Sequence, residues 1–245
     1  MRRSITAALG AAAVVASLGI AAPAGAQERP ADWPSKPVRM VVPFAPGSTP
    51  DILARTIGER LTTALKQTFI VENRPGAGGN IGTNAVAKAA GDGYTIGVSI
   101  TGPLVNNVVL YPKLPYDPFK ELAPVTLAAI QPNVLVVSSE LGVDNIKQFF
   151  DLLRRNPGKY NYASVGAGTV AHLSMELIKN KTNTFIVHIP YNSSPAAVTS
   201  MLSGDTQMAS LAPSAVLPQV RAEVVLPGRR GPGARPAAPV KTPRA

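Results

Sequence analysis

The sequence predicts an α/β fold built as two lobes. Short apolar runs rich in β-branched residues alternate with segments of helical periodicity, the pattern expected of mostly parallel sheets with helices on both faces. A proline-rich crossing at 111–125, YPKLPYDPFKELAPV, divides this alternation into two blocks. The 245 residues provide enough chain for two lobes of modest size.

The first block alternates three strands with two helices. The apolar run at 38–44 predicts a short buried strand, and further strands are predicted at 69–72 and 94–100. Helices are predicted at 49–66 and 80–90, the first with Thr49 as its N-cap and Pro50 at its first position. One apolar face of the first helix is marked by residues four apart: Leu53, Ile57, Leu61 and Leu65.

The second block repeats the alternation. Its strands are predicted at 134–137, 160–164 and 185–189, and its helices at 144–155, 169–180 and 195–202. The helix at 144–155 has an apolar side made by Ile146, Phe149, Phe150 and Leu153. We therefore assign 27–126 to the first lobe and 127–220 to the second.

The first 26 residues have the features of a secretory signal peptide. Arg2 and Arg3 precede an apolar run over 7–22, and Ala24-Gly25-Ala26 matches a cleavage site. The run is too short for a comfortable membrane span. We expect a mature chain that begins at Gln27 and is soluble in the periplasm, without a lipid anchor because the chain has no cysteine.

Residues 221–245 are mostly Arg, Pro, Gly and Ala, a composition that predicts a disordered basic tail. GC-rich codons encode these residue types, so we interpret the tail as an out-of-frame reading. The alternative is an arm for anionic lipid or nucleic acid.

The formal charge of +10 is concentrated at the two ends of the chain. Two charges lie at Arg2 and Arg3 and five in the tail, which leaves three for 27–220. A nucleic-acid binder would be expected to carry its charge on the folded part. The charge distribution therefore argues against nucleic acid as a partner.

Three turns from strand to helix are candidates for anion binding. The segments 44–49, 76–80 and 164–169 are rich in glycine and hydroxyl residues, and each precedes a predicted helix. Parallel sheets bind ligands beyond the carboxyl ends of their strands, where helix N-termini offer N–H groups. Capping alone would explain the first turn equally well.

Other chemistry finds weaker support. From Gly76 the third glycine of a dinucleotide fingerprint would fall at Ile81, and no P-loop Lys-Ser/Thr follows, so we expect neither NAD nor ATP. A Ser164/His172 nucleophile pair is conceivable, but no G-x-S-x-G elbow is present. His172 and His188 are the only histidines, and no metal site is predicted.

Taken in order, five segments resemble the Bug family, the periplasmic substrate-binding proteins of tripartite tricarboxylate transporters. They are WPSKPVRMVVPFAPGSTPDILAR, VENRPGAGGNIGTNAVAKAAGDGYT, LYPKLPYDPFKELAPV, YASVGAGTVAHLSMELI and HIPYNSSPAAVTSMLSGD. The resemblance covers about 33–220. It implies a type II-like periplasmic binding protein whose lobes close about a hinge on a small anionic solute.

The resemblance also implies the ligand-binding residues, which the family supplies from loop backbone and hydroxyl groups. Carried over by position, they are Phe44, Ala45, Pro46, Gly47, Ser48, Thr49, Asp51, Gly78, Gly79, Asn80, Thr101, Gly102, Ser164, Gly166, Gly168, Thr169, His172, Tyr191 and Asn192. For His172 and Tyr191, packing at a helix surface or a strand end is the alternative. At Ser48, where the family has a second glycine, a positive φ would be strained.

The implied function is capture of a small mono- or dicarboxylate, as a monomer without cofactor or catalysis, for the membrane subunits of a transporter. The family continues well past residue 220, so we expect the C-terminal part of the fold to be missing and binding to be impaired. The alternatives are a nonfunctional unstable fragment and an enzyme acting on an anionic substrate.

Overall fold

A three-stranded parallel sheet forms the centre of the first lobe. Its strands are β1 (Val38–Val42), β2 (Phe69–Asn73) and β3 (Thr95–Gly97), with β1 in the middle. The computed structural model describes residues 33–222 and 225–227, and of these Lys36 onward belong to one compact unit. The side chains of β1 are almost entirely buried because both faces of this strand are covered.

Four helices belong to the first lobe: α1 (Thr49–Leu65), α2 (Asn80–Ala87), α3 (Asn107–Leu110) and α4 (Pro118–Glu121). A 3₁₀ turn (Ala77–Gly79) precedes α2, and a π-helical segment (Gly102–Asn106) precedes α3. Of these elements, α4 lies within the crossing predicted at 111–125, whereas the π-helical segment and α3 lie at 102–110, where no element was predicted.

Two predicted details of α1 are corrected. Its N-cap is Ser48 rather than Thr49. Ile57 and Leu61 of the predicted face pack against the core beside the buried Ala54 and Gly58, but Leu65 is exposed. The helix lies so close to the sheet that a Cβ on Gly58 would be 3.2 Å from Sδ of Met40, which is why small residues occupy this face.

A five-stranded mixed sheet forms the centre of the second lobe. In spatial order it contains β6 (Val187–Pro190), β5 (Asn161–Ser164), β7 (Met208–Leu211), β4 (Val134–Ser138) and β8 (Val225–Pro227). β5 runs parallel to β6 and β7, but β4 is antiparallel to both of its neighbours. Four of the six strand pairings in the described chain are thus parallel, as expected of mostly parallel sheets, and the two made by β4 are the exceptions.

Helices α5 (Ile146–Arg155), α6 (Val170–Thr182), α7 (Ser194–Leu202) and α8 (Pro213–Arg221) pack around this sheet. Phe149 and Leu153 of α5 are fully buried against Tyr162 and Met175, as the periodicity predicted, although Ile146 is exposed. A second cluster of small apolar side chains lies between the sheet and α7 and α8. The segment 122–133, which joins the two sheets, is free of helix and strand.

The two ends of the chain fall mostly outside the described residues. The predicted signal peptide at 1–26 lies entirely outside them. Of the predicted disordered tail, Arg221 ends α8 and Val225–Pro227 pairs with β4, so this part of the tail is ordered; 223–224 and 228–245 lie outside. Within the described chain, no helix has the length and apolar character needed to cross a membrane.

Candidate functional site

A cleft between the two lobes is walled by the turns that follow their strands. It encloses a cavity of about 490 Å³. Of the predicted site residues, the cavity is lined by Phe44, Gly78, Gly79, Gly166, Tyr191 and Asn192. The structure thus brings together residues from both lobes that lie as much as 148 positions apart in the chain.

The loop at 44–49 uses most of its polar groups internally. The N–H of Gly47 donates to Oδ2 of Asp51 at 2.9 Å, and that of Ser48 donates to the carbonyl of Ala45 at 3.3 Å. The N–H of Ala45 reaches across to the carbonyl of Asn192 in the second lobe, at 3.2 Å. Stabilisation of the loop itself is therefore the main role of these donors.

Asp51 is buried and holds this loop in shape. Its carboxylate accepts hydrogen bonds from Gly47, from Arg55 and from Nδ2 of Asn73. Burial alone would raise the pKa of Asp51, but the bonds from Arg55, Gly47 and Asn73 lower it below its ordinary value. Asp51 is thus an ionised structural group whose oxygens face the protein.

Ser48 is accommodated without backbone strain. Its φ is −71°, and the positive φ of this turn, +77°, falls on Gly47. A side chain at position 48 therefore does not distort the loop. The Ser48 hydroxyl is buried and has no hydrogen-bond partner in the structure.

The first glycine loop, residues 76–79, has a positive φ at all four positions. Only glycine adopts such values freely, and the one alanine, Ala77, has a φ of 48° in the left-handed region. The loop places Gly78 and Gly79 at the cavity wall. Asn80 lies behind the loop, and its Oδ1 accepts hydrogen bonds from Nδ2 of Asn107 and from the hydroxyl of Tyr116.

The second glycine loop, residues 166–168, is held from below by hydroxyl groups. Oγ of Ser164 accepts from the N–H of Gly166 at 3.1 Å, and Oγ1 of Thr169 donates to the Gly166 carbonyl at 2.7 Å. Thr169 also caps α6 by accepting from the N–H of His172. Ser164 and Thr169 are both fully buried, so they shape the loop from inside the second lobe.

The two histidines form a stacked column under this loop. The rings of His172 and His188 lie 4.3 Å apart, and His188 stacks in turn on Tyr162 at 4.8 Å. Burial lowers the pKa of His172, and it lowers that of His188 to about 4, with the charges of His172 and Lys179 acting in the same direction. Both imidazoles are therefore neutral at pH 7.

Ser164 and His172, the pair that the sequence analysis considered and disfavoured, are not bonded to each other. Oγ of Ser164 lies 2.6 Å from Nε2 of His188, whereas Nδ1 of His172 accepts from the N–H of Gly168 at 3.2 Å. Strand β6 is parallel to β5, and its register puts His188 directly beside Tyr162 and two residues before Pro190, the partner of Ser164. His172 instead contacts the main chain of Gly168 and the ring of His188.

Several predicted residues lie away from the cavity. Gly47 and Thr49 line a separate cavity of about 320 Å³ between the start of α1 and helices α7 and α8. Thr101 is exposed, and Gly102 is buried against the second lobe, where a Cβ would lie 3.5 Å from Cα of Thr169.

The sequence reasoning missed Asn106, Asn107 and Tyr111. Tyr111 lines the cavity, and its hydroxyl lies 3.4 Å from the carbonyl of Ala77. Asn106 and Asn107 contact both glycine loops. The adjacent asparagines at 106 and 107 were the only sequence feature that could have indicated this role. Buried amides need specific hydrogen-bond partners, so such a pair suggests contacts with nearby loops.

The cavity offers main-chain donors, one amide and two phenol groups, but no charged side chain lines it. Elsewhere in the described chain, no three or more His, Asp or Glu side chains are grouped so as to hold a metal ion. Such a site suits a small ligand that is held by N–H and hydroxyl donors.

Comparison with known families places these features in context. Residues 53–225 match the model of the tripartite tricarboxylate transporter family receptor. Protein BugT of Bordetella pertussis is 39% identical over 191 residues, 78% of this chain and 57% of its own length. A Pseudomonas sp. protein from the tcbD-tcbE intergenic region is 40% identical over 176 residues, 72% of this chain and 52% of its own.

Solved structures show the same architecture. A periplasmic transporter protein is 40% identical with a TM-score of 0.75, and an R. palustris protein solved with adipate is 34% identical with a TM-score of 0.77. MatC from Rhodopseudomonas palustris, with bound malate, is 28% identical with a TM-score of 0.75. Each match covers 80% of this chain and 65 to 67% of the solved one. The chain thus spans little more than half the length of the two curated relatives, and about two thirds of the solved structures.

Proposed function

Because the chain belongs to the tripartite tricarboxylate transporter receptor family, we propose that it is a solute-binding protein that captures a small mono- or dicarboxylate between its two lobes. Its fold is that of a periplasmic binding protein. The observation that carries the proposal is the cleft cavity, which is lined by turns from both lobes.

The chemistry of the cavity fits a carboxylate bound without a cationic side chain. We expect the N–H groups at the tips of the glycine loops, at Gly78 and Ala167, to donate to the ligand, with the hydroxyls of Tyr111 and Tyr191 beside them. Main-chain donors recognise the carboxylate group, so they do not by themselves determine which acid binds. The two relatives solved with adipate and malate support a dicarboxylate as the first class to test.

We place the protein in the periplasm, where as a monomer it would deliver its solute to the membrane subunits of a transporter. Family membership supports the transporter partner. The predicted signal peptide supports the location. Neither a cofactor nor catalysis is needed for this role.

The first test is a thermal melt of the mature chain, residues 27–245, with a panel of small carboxylic acids. A ligand that binds only the folded state adds about 2.7 kcal/mol at a concentration 100 times its dissociation constant, a clear shift of the melting temperature. A cooperative transition raised by one acid would support the proposal and identify the solute. A cooperative transition that no acid shifts would contradict it.

A matched pair of variants tests the site itself. Ala167 lines the cavity and is partly exposed, so Ala167→Asp places a carboxylate beside the expected ligand, whereas Ala167→Asn adds the same volume without charge. Like-charge repulsion should weaken binding by Ala167→Asp at least about tenfold more than by Ala167→Asn. Equal affinities of the two variants, measured by calorimetry, would place the ligand elsewhere.

An unstable chain is the second candidate, and a specific observation favours it. Between the lobes Val125, Leu127 and Ile130 are 83, 74 and 83% exposed, and together they form an apolar segment without cover among the described residues. Such surface promotes aggregation. The absence of any cooperative transition in the same melts would favour this alternative.

An enzymatic role receives less support. Ser164 and His188 are the close Ser–His pair of the described chain, but Ser164 is fully buried and its Oγ is engaged by Gly166. A nucleophile must reach its substrate. Turnover of a carboxylate ester by the wild type that is lost in His188→Gln would overturn this reading.

A further inference from the structure

The two glycine loops touch each other across the cleft without intervening side chains. A Cβ added at Gly166 would lie 3.0 Å from Cα of Gly78, and one added at Gly78 would overlap the carbonyl oxygen of Ala167. The backbones of the two lobes are therefore in van der Waals contact. Only glycine permits this approach, because any side chain would push the lobes apart.

Two adjacent asparagines of the first lobe form hydrogen bonds at this contact. Nδ2 of Asn106 donates to the carbonyl of Gly168 in the second lobe at 2.9 Å. Nδ2 of Asn107 donates to Oδ1 of Asn80 at 2.6 Å, and it lies 3.5 Å from the carbonyl of Gly78. The pair thus reaches the second glycine loop directly and fixes the first from behind.

The backbone around the pair explains how neighbouring residues serve both lobes. The N–H of Asn107 donates to the carbonyl of Gly102, five residues earlier, which is the wide turn of a π-helix. Such turns change the direction of side chains relative to an α-helix and are frequent at functional sites. Here the turn directs one asparagine towards each glycine loop.

The buried amide of Asn107 opposes closure to some degree. Its Oδ1 has no hydrogen-bond donor, and it occupies the position that a Cβ of Gly168 would take. An unpaired buried acceptor is costly, and water can reach this oxygen when the lobes separate. The hydrogen bond of Asn106 and the unpaired oxygen of Asn107 therefore act in opposite directions on the closed state.

On the premise that solute binds between the lobes, we propose that Asn106 and the two glycine loops form an interlobe latch, in which Nδ2 of Asn107 positions the first loop and its unpaired Oδ1 limits the strength of closure. The latch holds the lobes closed in the absence of solute and sets how fast bound solute leaves. Asn106 and Asn107 are positioning residues in this proposal, since neither lines the cavity.

The test measures the distance between the lobes without any solute. The chain has no cysteine, so spin labels can be attached at Arg60→Cys on α1 and Lys181→Cys on α6, both exposed. Pulsed electron resonance on the full chain then reports the interlobe distance. We expect a single narrow distribution for the labelled wild type.

Gly168→Ala is the decisive variant, and Gly204→Ala is its control. The two glycines have φ values of +81° and +85°, so alanine strains the backbone equally at both. At Gly204 the added Cβ meets nothing within 4 Å, whereas at Gly168 it overlaps Asn107 of the other lobe. We expect Gly168→Ala to lengthen or broaden the distance distribution and Gly204→Ala to leave it unchanged.

A second pair protects the test against misfolding. Gly78→Ala, at φ +63°, overlaps Ala167 across the cleft, and Gly142→Ala, at φ +61°, meets nothing. Asn106→Ala removes the hydrogen bond to Gly168 without adding bulk, and it should speed solute dissociation about fivefold. Identical distributions for each variant and its control, with unchanged dissociation, would overturn the latch.

The latch and the proposed function can fail separately. If the distances shift as expected but no carboxylate binds, the latch stands and the proposed solute class is wrong. If a carboxylate binds equally well to all variants and the distances stay equal, the solute class stands and the latch is wrong.

Discussion

The main-chain N–H of Gly168 donates a 3.2 Å hydrogen bond to Nδ1 of His172, the first-turn histidine of α6. Only a neutral imidazole can accept this bond. Because Gly168 also meets Asn106 of the first lobe through its carbonyl, the charge of His172 acts on the contact between the lobes. The second glycine loop is thus connected to a titratable group that does not line the cavity.

We expect the affinity for the solute to fall as the pH drops through the pKa of His172, which lies below the ordinary histidine value. Burial lowers the pKa of His172, and Lys179 acts in the same direction against Glu176. His188, stacked on His172, lies on the strand side. Protonation of His172 removes its acceptor and frees the Gly168 N–H, and the loss of about 1 kcal/mol weakens binding about fivefold.

The control variant is His172→Asn, whose amide oxygen can accept from Gly168 but does not titrate. Calorimetry with the same acid at pH 7 and pH 5 on both proteins corrects for protonation of the ligand. The affinity of the variant should change less with pH than that of the wild type. If the affinities of both proteins change equally with pH, protonation of His172 does not affect solute binding.

His188 makes the stability of the fold depend on pH. Its pKa in the folded chain is lowered to about 4, so between pH 6.5 and pH 4 the unfolded chain binds more protons than the folded one. The neutral, buried form of His188 contributes its full stabilisation above pH 6.5, and this contribution to the free energy of unfolding is lost as the pH falls from 6.5 to 4. The full loss amounts to about 3 kcal/mol, because one pKa unit corresponds to about 1.4 kcal/mol.

Urea unfolding at pH 7 and pH 5 measures this loss. His188→Gln places an amide near the former Nε2 and cannot titrate, so its free energy of unfolding should change less over the same interval. Most carboxylates remain ionised at both pH values, which isolates the histidine contribution. A wild type as stable at pH 5 as at pH 7 would contradict the prediction.

Asp51 should be far more important for stability than another paired aspartate. Gly47, Arg55 and Asn73 all donate to Asp51, and in Asp51→Asn one of these donors faces the NH2 group of the new amide. In a buried site we expect this to cost about 2 to 3 kcal/mol. The control is Asp151→Asn on α5, whose ion pairs with Lys147 and Arg154 lie at the surface and contribute little to stability. Chemical denaturation of both variants measures the difference, and equal losses would refute the structural role of Asp51.

The alternation of strands and helices was predictable because its signals are local. The apolar run before Pro43 gives a buried strand, and the residues around Thr169 give a capped helix, whatever the rest of the chain does. The glycine loops were predictable in the same way. Their role at the cavity then rests on the rule that strand ends in a parallel sheet meet at one edge.

Other features depend on contacts that no local pattern encodes. The bond between Ser164 and His188 follows from the register of β5 with β6, and the position of Asn106 follows from a π-helical turn. Strand β7 was missed because its sequence, MASL, contains no β-branched or aromatic residue. Helix α8 was missed because it contains Pro218, which argues against a helix interior. Ser48 rather than Thr49 is the N-cap because its backbone is extended while Thr49 is already helical, and its hydroxyl makes no capping hydrogen bond.

Thr169 should affect both stability and binding, unlike a cap remote from the cleft. Thr169→Val keeps the shape of the side chain but loses the cap of α6 and the hydrogen bond to the Gly166 carbonyl. We expect a loss of about 1 to 2 kcal/mol in the free energy of unfolding. The second glycine loop should also relax, which weakens solute binding by about tenfold if 1.4 kcal/mol of loop ordering is lost.

Asn145→Ala is the matched control for this variant. Asn145 caps α5 through the N–H of Gln148 at 3.0 Å, and it is exposed on the second lobe without lining the cavity. Its loss should cost about 1 kcal/mol of stability and leave affinity unchanged. Chemical denaturation and calorimetry on both variants separate the two effects: if Thr169→Val binds as tightly as Asn145→Ala, Thr169 supports only its helix and the order of the second glycine loop does not depend on it.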